Sequence, residues 1–183
     1  MKNFIAAFAF LISATTLSAT QDDVTLPDTV NLSGKELVLN GLGTRKATWL
    51  GIKVYVGGLY MQKKSSDYNT FLDDKTPKQI IMKFVRDVDA SDLIDGWKGA
   101  FKNSVPKDKL PSLQERINTF YTYFSDIEKG QTMVFTFLND GVESTINNKK
   151  LEKIKGADFT KAMLSVWFVN ATDEGLKKGL LGL

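Results

Sequence analysis

Apolar and polar positions alternate most clearly over Ile52 to Gln62, where Ile52, Val54, Val56 and Tyr60 share one parity and Tyr55, Leu59 and Met61 the other. Alternation with a period of two makes a strand, and apolar residues on both parities predict a strand covered on both faces. Gly57-Gly58 within it predicts a bulge or the close approach of another group. Shorter runs at Val30 to Leu32 and Glu36 to Leu39 predict strands on either side of Ser33-Gly34. Gly41-Leu42-Gly43 reads as a turn, after which Lys46 to Trp49 leads to Gly51. Gln79 to Val85 alternates again, with Ile81 and Val85 set against Ile80, Met82 and Phe84.

The period then lengthens to that of a helix. A segment capped by Asp89 or Ser91 places Leu93, Ile94, Trp97, Ala100 and Phe101 on one face and ends at Pro106. Pro111, suited to a first helical turn, opens a second with Leu113, Ile117, Phe120, Tyr121 and Phe124 inward. A turn at Asp126 to Gly130 leads to a strand over Thr132 to Leu138. Asn139-Asp140-Gly141 and Asn147-Asn148 then read as hairpin signals around Val142 to Ile146, with a further strand over Lys150 to Ile154. A helix from Asp158 buries Phe159, Ala162, Met163, Val166 and Trp167, and a last short one starts near Thr172 with Asp173 and Glu174 in its first turn. Strands in succession, then helices, then strands again is not the alternation of a parallel sheet. It predicts an α+β domain, an antiparallel sheet with helices packed on one face.

The first residues change the picture of where the chain works. Lys2 precedes an apolar run from Phe4 to Ile12, small and polar residues follow through Ala19, and then comes the acidic pair Asp22-Asp23. That order predicts a cleavable signal peptide over residues 1–19 and a domain over residues 20–183, exported to a bacterial periplasm. The run is shorter than the roughly 20 residues of a membrane span, so no stable membrane insertion is expected. A retained N-terminal anchor is the alternative.

Composition removes several chemistries. The chain has no Cys and no His, which excludes thiolate and imidazole metal sites, Ser-His-Asp triads and Cys-His dyads. No metal and no cofactor is expected. The formal charge of +3 is spread among interleaved Lys, Asp and Glu, with no basic stripe for nucleic acid. The chain is expected to be a monomer. The sequons at Asn31 and Asn170 are not expected to carry glycans in a periplasm.

Gly41-Leu-Gly-Thr-Arg-Lys46 resembles the opening of a dinucleotide fingerprint, but Lys46 stands where a third glycine belongs and a strand follows instead of a helix, so that reading fails. Arg45 carries more weight. A guanidinium held against a domain interior needs an anion, which is either an internal Asp or Glu or a ligand carboxylate or phenolate. Tyr55, on the long strand, supplies a second hydrogen-bond donor to such an anion.

Gly41-Leu-Gly-Thr-Arg45 followed by Val54-Tyr-Val-Gly-Gly-Leu-Tyr-Met61 resembles the start of the chalcone isomerase-like family. Further similar stretches follow in order: Phe84-Val-Arg-Asp-Val88, Gly156-Ala-Asp-Phe-Thr-Lys-Ala-Met-Leu164 with Val166-Trp167, and Leu176-Lys-Lys-Gly-Leu-Leu-Gly182. The resemblance implies an open-faced β-sandwich, with a large antiparallel sheet covered on one face by helices and a cleft for an elongated amphipathic ligand. In the isomerases the matched arginine stabilises the substrate oxyanion during intramolecular ring closure, so Arg45 is the catalytic candidate if the chain is an enzyme. The family's polar site positions fall near Tyr55, Leu93, Ala100 and Val166, with Ser165 adjacent to the last. Most of that polar network is therefore replaced by apolar side chains.

What remains is similar to the family's fatty-acid-binding members, where the arginine and a tyrosine on the following strand hold a carboxylate. The resemblance therefore implies a ligand site of Arg45, Tyr55, Leu93, Trp97, Ala100, Phe101, Met163 and Val166 for a small amphipathic acid. The helix-face residues among these are equally well explained as core. Two other functions compete. One is an isomerase or intramolecular lyase acting on a phenolic or enone substrate. The other is a non-catalytic partner-binding fold in which Arg45 sits in an internal ion pair.

Overall fold

The computed structural model describes residues 18–47 and 50–183. The expected leader lies outside the described residues except for Ser18 and Ala19, which pair with Pro27 and Leu26. Thr48 and Trp49 also lie outside them.

A short hairpin comes first, β1 (Ser18–Gln21) and β2 (Val24–Pro27), joined through Asp22 and Asp23, both with positive φ. The large sheet is antiparallel throughout and is built from β3 (Thr29–Leu32), β4 (Lys35–Ala47), β5 (Ile52–Met61), β6 (Lys78–Phe84), β7 (Thr132–Leu138), β8 (Gly141–Ile146), β9 (Lys149–Lys150) and β10 (Ile154–Lys155). Its order is β10-β8-β7-β6-β5-β4-β3, with β9 on β8. The helices are α1 (Asn69–Leu72), α2 (Ala90–Ser104), α3 (Leu110–Tyr121), α4 (Ala157–Ser165) and α5 (Glu174–Leu180). This is the α+β architecture read from the residue pattern.

Alternate residues of the central strands build the main core. Tyr55, Leu59 and Met61 of β5, Ile80, Met82 and Phe84 of β6, and Met133, Phe135 and Phe137 of β7 meet the buried faces of α2, α3 and α4. Trp97 and Phe120 anchor that layer edge to face, 4.8 Å apart. On the opposite face, Leu37, Leu39 and Tyr60 form a smaller cluster with Ala19 and Val30 around it. Both faces of β5 are therefore covered, as its double parity predicted.

The expected turn at Gly41–Gly43 is not there. β4 runs unbroken through these residues, and what interrupts its alternation is a bulge at Asn40: Leu39 pairs with Tyr60 and Gly41 with Leu59. One extra residue moves every later side chain to the other face. Leu37 and Leu39 therefore join the smaller cluster, while Gly41, Gly43 and Arg45 turn toward α5. The glycines are there for close packing. A Cβ on Gly41 would lie 2.7 Å from Gly182 N, and one on Gly179 2.6 Å from Gly43 Cα, so the α5 segment lies backbone against backbone on β4. The Asn40 side chain fastens the far end, donating to Leu180 O at 2.7 Å and to Ser65 O at 3.0 Å.

Gly57-Gly58 likewise marks close approach rather than a bulge. The pairing with Gly43 and Leu42 is continuous, Leu176 and Leu180 lie over Gly57, and Leu26 lies over Gly58. The strand expected over Lys150 to Ile154 is broken into β9 and β10, with residues 151–153 outside the ladder. No helix among the described residues is long and apolar enough to cross a membrane.

Candidate functional site

Three elements bring Arg45 and Tyr55 into one place. In the β4–β5 ladder Arg45 and Tyr55 are direct partners, and in the β5–β6 ladder Tyr55 pairs with Phe84. Beyond this row the register slips at Val54, with Lys46 opposite Lys53 and Ala47 opposite Ile52. The link from β6 into α2 and the N-terminus of α5 close the other sides. Between them lies an open cavity of about 410 Å³.

Six of the eight residues expected at the site line this cavity: Arg45, Tyr55, Leu93, Trp97, Ala100 and Val166. Phe101 and Met163 do not. They are 2% and 0% exposed and belong to the packed core. Helix periodicity places Phe101 one turn beyond Trp97 on the same stripe, but the cavity ends before it. Trp167, Leu176 and Asp173 also line the cavity. The sequence pattern marks Trp167 as helix-face core, Leu176 only as part of a family-like closing stretch, and Asp173 as one of the acids in a first helical turn.

Tyr55 sits at the inner end. Its hydroxyl accepts from Trp167 Nε1 at 3.2 Å, and its own proton goes to no acceptor among the described residues. Burial pushes the phenol up to about 12, against smaller downward pulls from the Trp167 bond and the Arg45 charge. At physiological pH it is therefore a neutral donor.

Arg45 is partly spent. Its Nη1 donates to Lys46 O and to Asp173 Oδ2, the latter at 3.3 Å. Nε and Nη2 make no bond to a described residue, and the side chain is 28% exposed at the cavity. The internal ion pair weighed for Arg45 is thus present, and beside it lies an open cleft whose apolar wall is edged by Arg86 and several aspartates. Asp173 is also the N-cap of α5. It accepts from Leu176 N at 2.9 Å and from Lys46 N at 2.7 Å. Burial raises its carboxyl, but those two amides and Arg45 outweigh burial and hold it below the usual carboxylate range. Among the described residues no group of His, Cys, Asp or Glu is placed to hold a metal ion.

The profile of the chalcone isomerase-like family matches residues 18–182, and the chain belongs to that family. Among solved structures, a fatty-acid binding protein of Arabidopsis thaliana shares the fold, with a TM-score of 0.72 at 16% identity over 90% of this chain and 96% of that one. No curated protein matches by sequence.

Proposed function

We propose that this chain is an exported, periplasmic binding protein for a small amphipathic acid of the fatty-acid kind, with the head at Arg45 and Tyr55. The observation that carries the reading is a pair of unspent donors, the Tyr55 hydroxyl and the Nε and Nη2 of Arg45, on adjacent strands beside a cavity with an apolar wall and a charged rim. Leu93, Trp97, Ala100 and Val166 supply an apolar wall for the tail within a concave site of the kind that takes small ligands. The named function of the Arabidopsis relative supports binding over catalysis. So does the apolar character of Leu93, Ala100 and Val166, where the isomerase resemblance calls for polar groups. Export rests on the leader-like first residues.

Native mass spectrometry of the purified protein tests the binding reading. Held at about pH 5, where a neutral carboxyl is still populated, the wild type carries an acid or takes up added dodecanoic acid, and Arg45→Ala loses most of it. A wild type that is empty and takes up nothing sinks the reading. Export is checked on the same spectrum, where the secreted chain has lost its first residues; an unprocessed N-terminus removes that part.

A further inference from the structure

Arg45 meets a ligand already half neutralised. Asp173 holds its Nη1, and Asp173 is itself pinned by Lys46 N and Leu176 N, so it cannot swing away without opening the first turn of α5. The other charged groups around the cavity do not make up the difference. Arg86 comes from the link after β6, against Asp87 and Asp89 from the same link and Asp92 and Asp95 from α2. Asp87 is tied to Lys129 N at 2.7 Å and Asp95 to Lys98 at 2.9 Å. Neither Asp89 nor Asp92 has a side-chain partner among the described residues. Lys46 and Glu174 complete the neighbourhood of Asp173, one exposed beside it on β4 and the other exposed in the first turn of α5. The lining thus sets two arginines against five carboxylates; four of the five are exposed and screened by solvent, while Asp173, partly buried beside Arg45, is the like charge that a carboxylate seated there meets.

Resting on the binding reading above, we infer that the cavity selects an uncharged head that both accepts and donates: a protonated carboxyl, a primary amide or a hydroxyl. Its oxygen accepts from Tyr55 Oη and from the unspent N–H groups of Arg45, and its own O–H or N–H donates a hydrogen bond to the Asp173 carboxylate. An ester, which accepts but does not donate, satisfies half of this arrangement. A carboxylate leaves Asp173 facing a second anion.

Trp97 and Trp167 line the cavity, so tryptophan fluorescence can report its occupancy. The probes are octanoic acid, octanamide, octanol and methyl octanoate, titrated at about pH 5 and about pH 8 on either side of neutrality. Octanamide and octanol are expected to bind alike at both values, with methyl octanoate roughly tenfold weaker for the lost hydrogen bond. Octanoic acid is expected to bind at the lower pH and to weaken about 100-fold or more at the higher one, as its neutral fraction falls roughly tenfold per unit. Asp173→Asn, which keeps a capping side chain, is expected to recover octanoate binding at the higher pH. Octanoate binding as tightly as octanamide at about pH 8 overturns the inference and leaves the binding reading standing. If no probe binds at either pH, the binding reading falls and this inference with it.

Discussion

Arg45 and Tyr55 face each other directly across the β4–β5 ladder, and each keeps hydrogen-bonding capacity that the protein does not use. The bulge at Asn40 makes this possible, because without its extra residue Arg45 would share a face with Leu37 and Leu39, away from the helices. The pair is thus a product of one strand irregularity and one long strand.

The first prediction separates the two halves of that pair. Tyr55→Phe removes the free donor and leaves Trp167 Nε1 without its acceptor. Stability should fall by about 1–3 kcal/mol, the range for an orphaned buried donor. Affinity for octanamide should fall roughly tenfold, as for one lost neutral hydrogen bond. Urea denaturation and fluorescence titration measure the two effects. An unchanged affinity removes Tyr55 from the site.

Gly96 lies on α2, lines the cavity, and has no neighbour within 4 Å of a Cβ built on it. Gly96→Ala should therefore stabilise the protein by up to about 1 kcal/mol through helix propensity. Gly96→Trp should leave the fold intact, by circular dichroism and melting, while abolishing uptake of octanamide. Uptake at wild-type affinity by a folded Gly96→Trp protein would place the ligand elsewhere.

The contact between β4 and α5 should tolerate no side chain. A Cβ on Gly43 falls 3.0 Å from Leu176 Cα and inside contact distance of Leu176 O, and both are backbone atoms. Gly43→Ala should destabilise by about 1–3 kcal/mol, the usual cost of overpacking. Because α5 carries Asp173 and Leu176 to the cavity, ligand affinity should fall with it. Chemical denaturation gives the first effect and titration the second.

Asp173 gives a pH dependence whose sign is fixed. Its folded-state carboxyl is held below its ordinary value of 3.8, so its contribution to stability is present above that value and is lost as pH falls through the lower one. Wild type should exceed Asp173→Asn by a constant margin from neutrality down to about pH 5, and the margin should shrink below about pH 4. Paired denaturation curves check this. A margin that grows on acidification would contradict the assigned direction.

Much of this was legible in the chain. The double parity of β5 gave a strand covered on both sides, and β7 spans the run expected from Thr132 to Leu138. Pro111 does stand in the first turn of α3, and Asp89 at the N-cap position of α2, although its side chain makes no capping bond. The association of Arg45 with Tyr55 came from the family resemblance, whereas their direct pairing across the β4–β5 ladder was not read from the chain. What failed did so for physical reasons. Gly41-Leu42-Gly43 reads as a turn because glycine is usually needed for backbone freedom, whereas here it is needed for the approach of a helix that lies more than a hundred residues away in the chain. The β1–β2 hairpin gives no signal of its own beside the expected leader, where Asp22 and Asp23 read as the polar residues after a cleavage site. The four-residue α1 is too short to show a period. Phe101 and Met163 were grouped with Trp97 and Val166 because periodicity finds an apolar stripe but not where a cavity along it ends. Asp173 carried no signal of its partnership with Arg45, since their contact is tertiary.

The most direct test of the account is a crystal structure of the protein grown with octanamide. It should show the alkyl tail against Trp97 and Val166, with the amide oxygen within about 3 Å of Tyr55 Oη and the amide N–H facing Asp173. An empty cavity, or an amide bound with its head in solvent away from Tyr55, would contradict it.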